Sequence, residues 1–228
     1  FSTSPTEMQS MIIKDGKFQF IEPISTDKQT YGVFNKTNRT SSEHGFECNT
    51  SEEKSLEKGL KSLVQNGQKR LSNVGITSRP SSTKYRTYRL ALSVTGEYTQ
   101  AAGGTVAGAL TRMNNTMTRV NGVFEKDFGI HLDIQNYPGI IYTNASSDPY
   151  SNASSMSNWN IQLQRTLTSA VGSANYDIGH LFGATGGGGN AGCIGCICTD
   201  PTNNSSLAKG SGITAPADGR PYGDTFDI

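Results

Sequence analysis

The chain has 228 residues, with 20 Lys and Arg against 19 Asp and Glu and a formal net charge of +1. That balance gives no electrostatic case for nucleic acid or an anionic membrane as partner, and no apolar run approaches the roughly 18 residues of a membrane span. Its 26 glycines, with abundant Ser, Thr and Asn, point to a loop-rich, sheet-containing, secreted protein.

Residues 1–84 differ in texture from the remaining two thirds of the chain. Met11 to Phe20 reads as a β-hairpin, because Asp15-Gly16 supplies the positive φ angles of a tight turn between β-rich arms. Tyr31 to Phe34 adds a strand. A polar stretch from Asn35 to Ser51 carries Cys48, and Leu56, Leu60 and Leu63 recur at helical spacing. Gln65 to Lys84 is polar, with Gly67, Gly75 and Pro80, as suits an exposed linker. Lys69-Arg70 and Lys84 to Arg86 offer basic cleavage points.

Residues 85–228 open on an alternation. Tyr88, Leu90, Leu92 and Val94 face one way and Arg89, Ala91 and Ser93 the other, the period of a half-buried strand. Gly103-Gly104-Thr105 then begins a helix with Thr105 as N-cap. Val106, Leu110, Met113, Met117, Val120 and Phe124 trace its apolar face, and Gly129 closes it as a left-handed cap. Ile130, Leu132 and Ile134 alternate as a second strand. Ser157 caps a second helix bearing Trp159, Leu163, Leu167 and Ala170, which ends near Gly172. Tyr176 to Phe182 is a third strand. Strand, helix, strand, helix, strand predicts a mostly parallel α/β sheet with right-handed crossovers.

The stretch after that strand is the most specific in the chain. Gly186 to Gly189 lacks the Gly-Lys-Ser/Thr of a phosphate loop, so it reads as a flexible turn into an edge strand. Cys193, Cys196 and Cys198 come within six residues, on short extended pieces. Paired thiolates at this spacing serve either as zinc ligands or as structural disulfides of an exported protein, and the odd cysteine needs a partner elsewhere, Cys48 included. His131 and Asp133 share a strand face and could touch, whereas Asp177 and His180 point opposite ways; the polar face of a strand accounts for both histidines. Asp218, Asp224 and Asp227 match no calcium-loop spacing.

The succession of Gly-rich turn, cysteine cluster and Gly223-Asp224-Thr225-Phe226-Asp227-Ile228 resembles the segment just before the zinc helix of secreted, reprolysin-like (metzincin) metallopeptidases of bacterial type. The resemblance covers roughly Tyr85 to Ile228. It implies a metzincin-type N-terminal subdomain of α/β (α+β) class, with a mixed, mostly parallel sheet and two long helices, preceded by a small β-rich propeptide. It also implies Zn²⁺ as cofactor and a peptide or protein substrate, held by main-chain pairing along a rim formed by Ala191, Gly192, Cys193, Ile194 and Gly195. Cys48 becomes either a latency ligand to that zinc or the partner of the odd cysteine. The family's HExxHxxGxxH motif is absent: His44, His131 and His180 are the three histidines, and none is followed by Glu. The chain is therefore expected to be an inactive fragment of a zinc endopeptidase precursor, cut just before that helix. The alternative is a non-catalytic, disulfide-clamped binding module of an exported protein.

Overall fold

The computed structural model describes residues 1–35, 47–48, 84–217 and 219–221. The helix expected at Leu56 to Leu63, the linker to residue 83 and the segment from Gly223 to Ile228 lie outside the described residues.

The N-terminal part is an antiparallel sheet in chain order: β1 (Ser2–Thr3), β2 (Met8–Lys14), β3 (Lys17–Pro23) and β4 (Tyr31–Asn35). The turn between β2 and β3 is the expected one, with Asp15 at φ 51° and Gly16 at φ 74°. Both angles lie in the left-handed region, where Asp and Gly are tolerated best.

The second sheet has six strands in the order β5-β9-β10-β8-β6-β7. These are β5 (Glu47–Cys48), β6 (Arg86–Val94), β7 (Ile130–Ile134), β8 (Ile178–Phe182), β9 (Gly188–Asn190) and β10 (Gly212–Ala215). β6 pairs in parallel with β7 and β8, and β8 in parallel with β10. Only β9 runs antiparallel to its neighbour β10. The sheet is thus mixed and mostly parallel, as the strand–helix alternation requires.

Two long helices cover opposite faces. α2 (Val106–Phe128) starts at Thr105, whose side chain accepts from the Gly108 amide at 3.0 Å, and ends on Gly129 at φ 65°. Its Ala109, Met113 and Met117 pack on Leu90, Leu92, Val94 and Phe182. α3 (Trp159–Ala170) covers the other face, with Trp159, Leu163 and Leu167 against Ala91, Leu181 and Ile213. Each such aliphatic side chain removed from water contributes about 1.5–3 kcal/mol.

Several expectations are corrected here. β6 is buried on both faces from Leu90 to Val94, not half-buried, because helices lie above and below it. Ala91 and Ser93 are as enclosed as Leu92; the Ser93 hydroxyl donates to the Ile140 carbonyl at 2.7 Å. A short helix, α1 (Gly96–Ala101), precedes α2; Thr95 caps it and the Asp148 carboxylate accepts from the Gly96 amide at 2.7 Å. Ser157 caps nothing: a 3₁₀ stretch, Ala153–Asn158, leads directly into α3. The Trp159 indole, donating to the Ser151 carbonyl at 2.6 Å, fixes that entry instead.

The two sheets meet at α2. Arg119, 3% exposed, forms an ion pair with Glu22 of β3, and its guanidinium lies 4.3 Å from the Phe20 ring centre. Asn115 donates to Glu7 at 2.8 Å and accepts from Ser2 at 2.7 Å.

Candidate functional site

The chain approaches the outer strand through two glycines with positive φ, Gly186 at 140° and Gly187 at 72°. The Gly187 amide donates to the Pro216 carbonyl at 3.1 Å, which turns the chain back along β10. The register then sets Gly188 opposite Ala215, Gly189 opposite Thr214 and Asn190 opposite Ile213. A strand of Gly-Gly-Asn has almost no side chain, so its main chain is what it offers a partner.

Beyond Asn190 the main chain turns away. The Asn190 side-chain oxygen accepts from the Gly192 amide at 2.7 Å, an Asx turn. Gly192 sits at φ 70°, and a Cβ there would overlap the Ser211 carbonyl. Cys193 and Cys196 are joined by a disulfide that closes the next turn, and Cys198 is an exposed free thiol. The disulfide reading of the cluster holds for Cys193 and Cys196. The rim residues expected to pair with substrate, Ala191, Gly192, Cys193, Ile194 and Gly195, thus lie in this closed turn at the end of the edge, and the extended backbone itself is Gly188–Asn190. The extended, cysteine-bearing strands expected here are turns.

Buried amides hold this edge from behind. Asn160 of α3, 4% exposed, donates to the Ser211 carbonyl at 2.5 Å and to the Asn190 carbonyl at 3.2 Å. Gln164, one turn on, accepts from the Gly210 amide at 3.0 Å and donates to the Tyr176 hydroxyl at 3.1 Å. The buried Lys209 ammonium donates to the Ser173 carbonyl and meets Asp200, both at 2.6 Å. None of these three residues is singled out by sequence reasoning. An i, i+4 pair of amides on the helix that feeds a Gly-rich strand is the signal that could have found them.

On the α2 side of the sheet, His180 sits beside Phe182 with ring centres 5.5 Å apart and shares a 2.9 Å hydrogen bond with Thr214. Burial penalises its charged form and holds its pKa down at about 4. It is half-buried, on the strand face that lines an open cavity. A cavity of about 310 Å³ opens there, lined by His180, Thr214, Asn190, Cys193 and Ile197. His131 meets Glu125 of α2 at 2.6 Å, whereas Asp133 accepts from Gln135 at 2.9 Å. Asp177 binds Arg89 through both carboxylate oxygens, at 2.8 and 3.1 Å, and the guanidinium holds its pKa below the usual value.

One relationship ties the N-terminal region to this edge. Glu47–Cys48 pairs with β9 in parallel, Glu47 opposite Gly188 and Cys48 opposite Gly189. The chain's own upstream segment lies where an added strand would lie. The side chain of Cys48 falls outside the described residues, so neither of its expected roles is placed.

A sheet of parallel strands with an antiparallel outer strand, covered by one long helix on each face, defines the N-terminal subdomain of the metzincin class. Residues 84–228 match the reprolysin-like model of metallopeptidase family M12B, and the chain belongs to that family. No curated protein matches it. Members of the family depend on zinc, but among the described residues no group of three His, Cys, Asp or Glu stands close enough to hold a metal ion. The described residues do not fit the ion. Among the described residues no helix is long and apolar enough to cross a membrane.

Proposed function

We propose that this chain belongs to the precursor of an exported zinc metalloendopeptidase, with residues 1–84 as propeptide and residues 85–228 as the sheet-bearing part of the catalytic domain. The observation that carries this reading is the outer edge of β9, within the segment that matches the family. Peptide main chain adds to such an edge through N–H and C=O groups alone, and the two glycines let it approach closely. The chain supplies scaffold and substrate rim: α3 fixes the rim through Asn160, and the disulfide turn from Cys193 to Cys196 ends it. Among the described residues no group of ligands stands ready to hold the metal, and Glu47–Cys48 already lies on the rim, so the chain does not cut peptide and binds it at β9 only where that segment is displaced. The zinc-binding histidines and the general base belong to the HExxHxxGxxH motif, which is not in this sequence.

The coding region beyond Ile228 tests this reading together with its product. The expected result is a His-Glu-x-x-His helix and chelator-sensitive cleavage of an unstructured protein such as casein. Unrelated sequence after Ile228, with no cleavage by the whole product, overturns it in favour of a binding module.

A further inference from the structure

We propose that the outer edge of β7 is a second strand-accepting site, for an extended peptide carrying Lys or Arg, and that Asn121 holds it shut. β7 ends the six-stranded sheet on the side opposite β5. The Gly129 carbonyl accepts from the Arg86 amide, and the Gln135 amide donates to the Leu90 carbonyl, both at 2.9 Å. Alternation along the ladder then turns the main-chain groups of His131 and Asp133 towards β6. Those of Ile130, Leu132 and Ile134 face outwards.

Asn121 of α2 covers the middle of that outward row. Its side-chain oxygen accepts from the Leu132 amide and its amide group donates to the Leu132 carbonyl, both at 2.9 Å. A carboxamide carries the same donor and acceptor as a residue's own N–H and C=O. In an antiparallel pair, one residue exchanges both of these bonds with the residue opposite. Asn121 thus stands where the central residue of an added strand would stand. The strand that replaces it spans about five residues, alongside Ile130 to Ile134. A cavity of about 510 Å³ gives it room, lined by Leu132 and Ile134 of β7, Met117 and Asn121 of α2, and Met11 and Ile13 of β2. The Glu125 and Asp133 carboxylates line it too and no described Lys or Arg does, so a basic strand suits it better than an acidic one. An incoming strand must first displace Asn121. An edge uncovered for about a tenth of the time binds roughly tenfold more weakly than one that is always open.

Fluorescence anisotropy on the whole 228-residue chain, with a fluorescein-labelled Thr-Lys-Val-Lys-Thr peptide amide as probe, tests the gate, and amide hydrogen exchange locates the bound strand. The side chains of Asn121→Ala and Asn121→Ser cannot pair with both Leu132 groups. Both variants are expected to bind the peptide roughly tenfold more tightly than the unaltered chain, or better. Their Leu132 and Ile134 amides should gain protection when peptide is added, and a copy of the peptide with Pro at its centre should produce neither effect. Equal affinity in variants and unaltered chain overturns the proposal, as does tighter binding without protection at Ile134. Loss of protection at His131 and Asp133 in both variants overturns it too, because Asn121 would then brace β7 against β6 and not gate its edge. Peptide held only at Gly188 to Asn190 leaves Ile134 unchanged, so this site and the proposed rim at β9 fail separately.

Discussion

The Asn160 amide group, on α3, reaches through the sheet's flank to the carbonyl of Asn190, the last residue of the edge strand, at 3.2 Å. The same amide group donates to the Ser211 carbonyl at 2.5 Å. One side chain thus ties the ends of β9 and β10 to the helix behind them. Asn160→Leu takes a donor from each of these two carbonyls, at about 1–3 kcal/mol each before relaxation. Urea denaturation should show a loss of about 2–4 kcal/mol, and a loss below about 0.5 kcal/mol would show that the tie carries nothing.

Gly192 and Gly195 separate backbone strain from crowding. Both lie in the left-handed region, at φ 70° and 76°, but only Gly192 has its Cβ position filled, by Ser211; Gly195 faces open space. Gly195→Ala should cost about 1–2 kcal/mol from backbone strain alone. Gly192→Ala should cost visibly more, and it should also perturb the amides of Ser211 and Gly212. Equal melting temperatures for the two variants would contradict this.

The cysteines should separate by reactivity. Iodoacetamide without reductant should modify Cys198 but neither Cys193 nor Cys196, as read by peptide mass. Reducing a bridge across so short a loop costs about 2 kcal/mol in the chain-entropy account, so the domain should stay folded in dithiothreitol with a lowered melting temperature.

His180 sets a pH dependence with a definite sign. Its pKa is about 4 in the folded chain, below the ordinary value of 6.5, so the unfolded chain takes up the proton first as pH falls. The stability it contributes is complete above pH 6.5, declines as pH drops toward 4, and is fully lost below that. The shift corresponds to about 3 kcal/mol at most. His180→Gln, which keeps a donor for Thr214, should flatten this part of the stability curve. The Glu7 and Asp177 carboxyls, both held below their ordinary values, act only at lower pH. An unchanged slope in the variant would mean that His180 is solvated.

Much of this fold is legible because its signals are local. The Asp15-Gly16 turn, the Thr105 and Gly129 caps and the four-and-three stepping from Val106 to Phe124 each report the residue's own backbone state. The edge strand is harder, since Gly188 and Gly189 carry no side chain to show strand preference, and the cysteines beyond them draw the rim too far along the chain. Asn160 and Gln164 look like solvated helix residues, because an amide reads the same whether it faces water or a carbonyl. The docking of β1–β4 on α2 depends on Glu22 meeting Arg119, far apart in sequence, and no local pattern encodes that.

Photo-cross-linking tests main-chain capture at β9 most directly. An extended peptide with a benzophenone side chain is compared with its scrambled sequence and with a copy methylated on alternate backbone nitrogens. With residues 1–84 removed, peptide and scramble should both attach within Gly188 to Cys193 and the methylated copy should not; on the whole chain, where Glu47–Cys48 lies on this edge, capture should be weaker. Attachment elsewhere, or equal capture of the methylated peptide, would contradict the assignment of this edge as the substrate rim.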